Sequence, residues 1–319
     1  MNILIDDAIY KLQAHGGIST LWRSVLPLLP DCLPGHTFDA SRPADVFIST
    51  YYYPAPRGAK SIAFVYDCIH EHYPHLYAGH PDMLARRRVT AEADAVVAIS
   101  EATKADIQRF SGRAGVTVAY PATSLTRRTA EDIRATRQAY RLDKPYVLVV
   151  GRRGGYKNAA ALYQAWAHFS RHDYTLLCVG GEDPASYEHV FGKHFDWRQI
   201  QVTSDSALEA LYSGAEMLVY PSQLEGFGIP VLEALACGCP VVCGTHPALK
   251  EAGGTAPFYC NVYKPFSIAE AMNEVLNPGT ALEQVMWGYA HARKFSWRQM
   301  AETIAGTIRE VMGEREEIA

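Results

Sequence analysis

Along this chain, short apolar runs alternate with segments whose apolar residues recur every three or four positions. The short runs suit buried strands and the longer-period segments suit helices that cover them, so the alternation predicts parallel sheets flanked by helices. In the first half the strand candidates are Asn2–Ile5, Asp45–Ser49, Ser61–Tyr66, Ala95–Ile99 and Val116–Ala119, with helices near Ile18–Leu29, Pro81–Ala93 and Glu101–Phe110. Residues 121–140 are polar and charged and read as a linker running into a helix. A second set has strands at Tyr146–Val150, Thr175–Val179, Met217–Tyr220 and Val241–Cys243. Its helices fall near Ala159–Ser170, Ala207–Ser213, Ile229–Cys237 and Ile268–Leu276. The two sets predict an α/β protein of two Rossmann-like domains, residues 1–140 and 141–295. Residues 296–313 form an amphipathic helix with Trp297, Met300, Ile304, Ile308 and Met312 on one stripe.

The segment 220–244, YPSQLEGFGIPVLEALACGCPVVCG, concentrates the candidate chemistry. An apolar strand ends at Pro221, a loop carries Glu225, Gly226, Phe227 and Gly228, and a helix starts near Ile229. Pro230 falls in the first turn, where its missing N–H costs nothing, and Gly238 with Pro240 stops the helix. A strand, a glycine loop and a helix N-terminus make a ready anion site, because free backbone N–H groups and the dipole face the ligand. Glu225 precedes that N-terminus and Glu233 lies about one turn inside the helix. Two carboxylates fit a ligand that offers hydroxyls as well as phosphate, which describes a nucleotide sugar. Glu233 sits among Val231, Leu232, Ala234 and Leu235, and a carboxylate in such company needs a partner.

This segment resembles the signature of retaining glycosyltransferases of the GT-B fold, the large family-4 group (glycosyl transferases group 1), in which a Glu-x7-Glu motif with an internal Gly-Phe-Gly binds the sugar nucleotide. The likeness covers nearly the whole chain. Residues 146–158, YVLVVGRRGGYKN, are similar to the group's strand, glycine and Arg/Lys phosphate clamp, and residues 95–107, AVVAISEATKADI, to its strand-to-helix Ser-Glu segment. His15-Gly16-Gly17-Ile18 resembles its N-terminal glycine loop. The resemblance implies that Glu225 holds hydroxyls of the donor sugar, Glu233 the ribose, and the amides of Phe227, Gly228 and Ile229 the diphosphate, with Arg152 and Lys157 neutralising it. Arg152 and Arg153 compete for that role, and Arg152 is favoured. Gly16 and Gly17 would approach the donor closely. It also implies two domains facing across a cleft, with the C-terminal helix, residues 296–319, crossing back to complete the first. In many relatives a histidine stands where this chain has Tyr66, so Asp67 and His70 are the candidates for acceptor positioning.

Composition changes the picture little. The net charge of −4 gives no case for nucleic acid, and the N-terminal 138 residues carry 15 Lys/Arg against 14 Asp/Glu. Asp6 and Asp7 interrupt the only N-terminal apolar run, so no signal peptide is expected. The seven cysteines, several in apolar runs, fit reduced thiols. The expected location is cytoplasmic, with peripheral contact at the inner membrane face if the acceptor is a lipid. Arg86-Arg87-Arg88 reads as a solvated helix face, with contact to a phosphorylated acceptor or anionic lipid as the rarer use. His70, His72, His75 and His80 crowd one loop and Cys237, Cys239, Cys243 and His246 form a cysteine-rich run, so both could imitate zinc ligands, but Cys237 to Cys243 would have to leave a helix end and a buried strand to converge on one ion, and neither group is read as a metal site. No metal or cofactor is expected, and no Asp-x-Asp pair occurs. The chain reads as a metal-independent retaining hexosyltransferase acting from a nucleoside diphosphate sugar on a glycan or lipid-linked acceptor in cell-surface polysaccharide synthesis. A sugar-nucleotide epimerase and a non-catalytic carbohydrate-binding relative are the rival readings.

Overall fold

The computed structural model describes residues 1–171, 173–181 and 196–314. The chain divides into two compact units, Met1–Ala122 with Phe295–Ala319, and Thr123–Lys294. The division precedes the helix Ala130–Ala139, which therefore belongs to the second unit, whereas a boundary near residue 140 would give it to the first. Thr129 and Asp132 start that helix with reciprocal side-chain to backbone bonds.

Among the described residues, the first unit has five parallel strands, β1 (Ile3–Ile5), β2 (Val46–Ile48), β3 (Lys60–Val65), β4 (Ala95–Ala98) and β5 (Val116–Val118), which neighbour one another in chain order. Ala63, Val65, Val96, Ala98 and Ile107 form one of its cores. The helix Trp297–Met312 belongs to this unit and packs on the helices Gly17–Val25 and Leu29–Cys32. Met300, Ile304 and Ile308 of the expected stripe are fully buried, while Trp297 and Met312 at its ends are half-buried. Ser296 caps its start by accepting from Gln299 N.

The second unit holds β6 (Tyr146–Val150), β7 (Thr175–Val179), β8 (Trp197–Ile200), β9 (Met217–Tyr220), β10 (Val241–Gly244) and β11 (Phe258–Cys260), in the order β11-β10-β9-β6-β7-β8. All recorded pairings are parallel. The inner strands are buried on both faces and so read as unbroken apolar runs. The edge strands β8 and β11 escaped the sequence pattern. Trp-Arg-Gln-Ile is only half-buried, and Phe-Tyr-Cys is three residues long. The helix expected to reach Ser170 ends at Trp166, where His168 and Phe169 tighten into bonds with the carbonyls three residues back.

After β6 the chain builds β7 and β8 on one side, then returns to place β9, β10 and β11 on the other. The strand order therefore reverses between β6 and β9. Loops that leave the carboxyl ends of two such strands diverge and open a crevice, the usual ligand position in open α/β sheets. Lys157 follows β6, and Glu225 follows β9.

Candidate active site

The two loops are stapled before any ligand arrives. Gly151 leaves β6 at φ +87°, and a side chain on Gly181 would place its Cβ 2.2 Å from the Gly151 carbonyl oxygen. The close approach of the β6 and β7 ends therefore requires glycine at 181, while at 151 it is the left-handed backbone that favours glycine. Gln223 N donates to Tyr156 O at 2.8 Å, which joins the β9 loop to the β6 loop. Asn158, left-handed at φ +57°, starts the helix Ala159–Trp166, and its Nδ2 donates to Pro221 O (3.2 Å) and Val262 O (2.8 Å). Asparagine tolerates that backbone conformation better than most residues.

This frame aims Lys157 at the motif. Its Nζ donates to Glu225 Oε1 at 2.6 Å and to the Tyr220 hydroxyl at 2.7 Å, and lies 5.1 Å from the Tyr220 ring centre and 5.3 Å from that of Tyr156. The Lys157 and Glu225 side chains are 18% and 9% exposed. In surroundings this dry each side chain relies on the other as a hydrogen-bond partner. Burial, with the Glu225 charge beside it, holds the Tyr220 phenol well above its ordinary pKa, so it remains a neutral hydroxyl.

Gly228 caps the helix Ile229–Ala236 at φ +113°, where a Cβ would lie 2.8 Å from Leu249 Cδ2. Both backbone and space therefore demand glycine there. Pro230 lies in the first turn. Inside the helix, Glu233 Oε2 accepts from the Tyr212 hydroxyl at 2.9 Å. Burial pushes the Glu233 carboxyl up to about 7, and the Tyr212 bond opposes that rise. The partner that the apolar helix demands for Glu233 is thus a tyrosine.

Of the two competing arginines, Arg152 is exposed. Arg153 is 1% exposed and its Nη1 donates to Gly180 O at 2.6 Å, bracing the end of β7. Arg152, Arg153, Lys157, Glu225, Phe227, Gly228, Ile229 and Glu233 all belong to the second unit.

Gly16, Gly17, Asp67 and His70 belong to the first unit. Gly16 caps the helix Gly17–Val25 at φ +155°, a backbone conformation that residues with a side chain rarely adopt, which is a local reason for glycine. Tyr66 is consumed internally, accepting from Trp22 Nε1 at 2.6 Å and donating to Thr50 O at 2.8 Å. Asp67 Oδ1 accepts from Ile69 N at 3.0 Å and lies 3.9 Å from Arg86 Nη1. The His70 ring stacks on His80 at 4.8 Å, and burial lowers its pKa. Arg86 corrects the expectation of a solvated basic face. Helical period sets it with Met83 and Thr90 on the buried side, where it bonds Glu71, while Arg87 and Arg88 are exposed.

Sequence reasoning missed Tyr212, Tyr220, Glu71 and the buried role of Arg86. Tyr220 ends β9 directly before the motif, a placement that could have marked it. Tyr212 lies 21 positions from Glu233 within an ordinary helix, so only the fold brings them together.

Comparison with known proteins places the chain in a family. The family described as glycosyl transferases group 1 matches residues 132–291, half of the chain. The chain belongs to that family. An O-antigen chain mannosyltransferase B of Escherichia coli is 34% identical over 161 residues, 48% of this chain and 42% of that protein. This chain spans less than half the length of the first curated relatives it matches. Among solved structures, the sucrose-phosphate synthase of Thermosynechococcus elongatus aligns over 98% of this chain and 99% of its own, with TM-score 0.78 and 17% identity. HepE of Anabaena, solved in complex with UDP-glucose, aligns over 97% and 99% with TM-score 0.76 and 15% identity. The fold is that of the GT-B glycosyltransferases.

Proposed function

We propose that the protein transfers a hexose, with retention of anomeric configuration and without a metal, from a nucleoside diphosphate sugar to a glycan or lipid-linked acceptor in cell-surface polysaccharide synthesis. The observation that carries this reading is the Lys157–Glu225 contact at the strand-order reversal, beside the N-terminus of the helix that holds Glu233. The UDP-glucose bound in HepE supports the donor class, and the O-antigen relative supports the acceptor class.

On this reading the resting ion pair opens when donor binds. Lys157 turns from Glu225 to the diphosphate, and Glu225 accepts from hydroxyls of the sugar. Glu233 accepts from the ribose. As the bond from the anomeric carbon to the leaving phosphate oxygen breaks, negative charge grows on the diphosphate. Lys157, Arg152 and the helix N-terminus are assigned to stabilise it, and preorganised groups of this kind supply the larger part of such catalysis. The leaving diphosphate takes the proton of the acceptor hydroxyl, which attacks from the same face. Asp67 and His70 of the first unit are assigned to the acceptor. No helix among the described residues is long and apolar enough to cross a membrane.

The test is release of nucleoside diphosphate from a donor panel with and without acceptor glycan. Release that depends on acceptor supports transfer. Release of the same amount without acceptor, or conversion of one sugar nucleotide into another, would replace this reading with hydrolysis or epimerisation.

A further inference from the structure

We infer that Tyr212 is a positioning residue for donor binding, holding one carboxylate oxygen of Glu233 so that the other is presented to the donor ribose. The inference rests on Glu233 as the ribose acceptor. A free carboxylate rotates about its last bond, and a ligand that needs one orientation must then supply the ordering entropy. A fixed neighbouring donor removes that cost, as outer hydrogen-bond partners do for other binding groups.

Tyr212 is unusually well fixed for this role. It is fully buried on the helix Asp205–Ser213, whose start is capped by Ser204 accepting from Ala207 N. The residue before it is pinned, because Tyr146 of β6 donates its hydroxyl to Leu211 O at 2.7 Å. The chain after it is confined at Gly214, where a Cβ would lie 2.7 Å from Ile133 Cγ2 and 3.0 Å from the Tyr146 hydroxyl. On the same helix Glu209 Oε1 accepts from Thr126 N at 2.8 Å. Three bonds and close packing therefore hold the helix that carries Tyr212, and its hydroxyl meets Glu233 Oε2 at 2.9 Å.

The same bond also governs charge. Burial raises the Glu233 carboxyl, the charge of Asp205 raises it further, and the Tyr212 hydroxyl lowers it. Tyr220 of β9 and Cys237 at the end of the Glu233 helix also face this charge. Both are pushed upward by burial and stay neutral across the working range, as does Tyr212 itself. Glu233 is thus the member of the group that titrates near neutrality, and Tyr212 helps keep it ionised. An ionised carboxylate accepts from ribose hydroxyls through stronger, charge-assisted bonds.

The test uses the full chain and whichever of UDP, GDP and dTDP raises its melting temperature most. The dissociation constant of that nucleotide is measured by calorimetry from pH 5.5 to 9 in the wild type, Tyr212→Phe and Glu233→Gln. Phenylalanine keeps the ring and its packing and removes only the hydroxyl. Losing one hydrogen bond to the ionised form should move the midpoint up by about one pH unit. The shift alone should make binding by Tyr212→Phe roughly fivefold weaker than wild type at pH 7 and fade toward pH 9, where a residual deficit reports the lost orientation of the carboxylate. In turnover the donor KM should rise with kcat little changed. An unmoved midpoint in a folded Tyr212→Phe protein would overturn the inference while leaving the ribose role intact. Wild-type affinity and pH dependence in Glu233→Gln, or no stabilisation by any of the three nucleotides, would instead overturn the donor-site reading beneath it.

Discussion

Replacing Glu233 by glutamine should stabilise the unliganded protein, and the gain should depend on pH. The carboxyl is raised from 4.5 to about 7, chiefly by burial. Between those values the folded chain holds a proton that the unfolded chain has released. Stability therefore falls as pH rises from about 4.5 to about 7, and the full cost is present above 7. Each pH unit is worth about 1.4 kcal/mol, which sets an upper bound of about 3 kcal/mol. Glu233 retains partial solvent contact, and screening reduces this to about 1–2 kcal/mol. Glutamine keeps the volume and an oxygen that accepts from Tyr212 but carries no charge. For a unit of this size, about 1 kcal/mol corresponds to roughly 2–4 °C in melting temperature. Calorimetry without nucleotide should find Glu233→Gln more stable by a few degrees at pH 8 and nearly equal to wild type at pH 5. A variant less stable than wild type at pH 8, or a difference of the same size at both pH values, would refute the reasoning.

Three further outcomes follow from the same geometry. Lys157→Ala should keep its fold and lose on the order of 10²–10³ in kcat, because one cation facing the leaving diphosphate is gone; near-normal turnover in folded protein would remove Lys157 from the mechanism. Turnover should survive EDTA, since side-chain cations and a helix N-terminus are assigned to the diphosphate, and loss restored by Mn²⁺ or Mg²⁺ would contradict that assignment. Glu225→Gln should lower kcat more than donor affinity, because its sugar contacts strengthen as the anomeric carbon gains positive charge, while Glu233→Gln should mainly raise donor KM. Matching kinetic defects in the two variants would show that this division of roles is wrong.

The sheets were legible wherever strands are buried on both faces. β6, β7, β9 and β10 read as continuous apolar runs, and the glycine loop and Pro230 marked the start of the Glu233 helix. What escaped was set by tertiary context. β8 and β11 lie on edges, where burial no longer forces an apolar run. Arg86 looked like one of three equivalent charges until helical phase turned it inward onto Glu71. Within the candidate site, the carboxylates could be read from local spacing, but their partners could not. Lys157 and Glu225 are 68 residues apart and meet only because strand order reverses between β6 and β9. Tyr212 has no local signature at all, since nothing in a single helix says which carboxylate of the next it will face.

Hydrogen exchange on the full chain, with and without a saturating nucleoside diphosphate, tests most directly whether the donor binds at this strand-order reversal. Added nucleotide should slow exchange in peptides covering residues 151–158 and 224–233, where the β6 loop and the Glu233 helix begin. Protection that bypasses both segments while the nucleotide is demonstrably bound would contradict a donor site there.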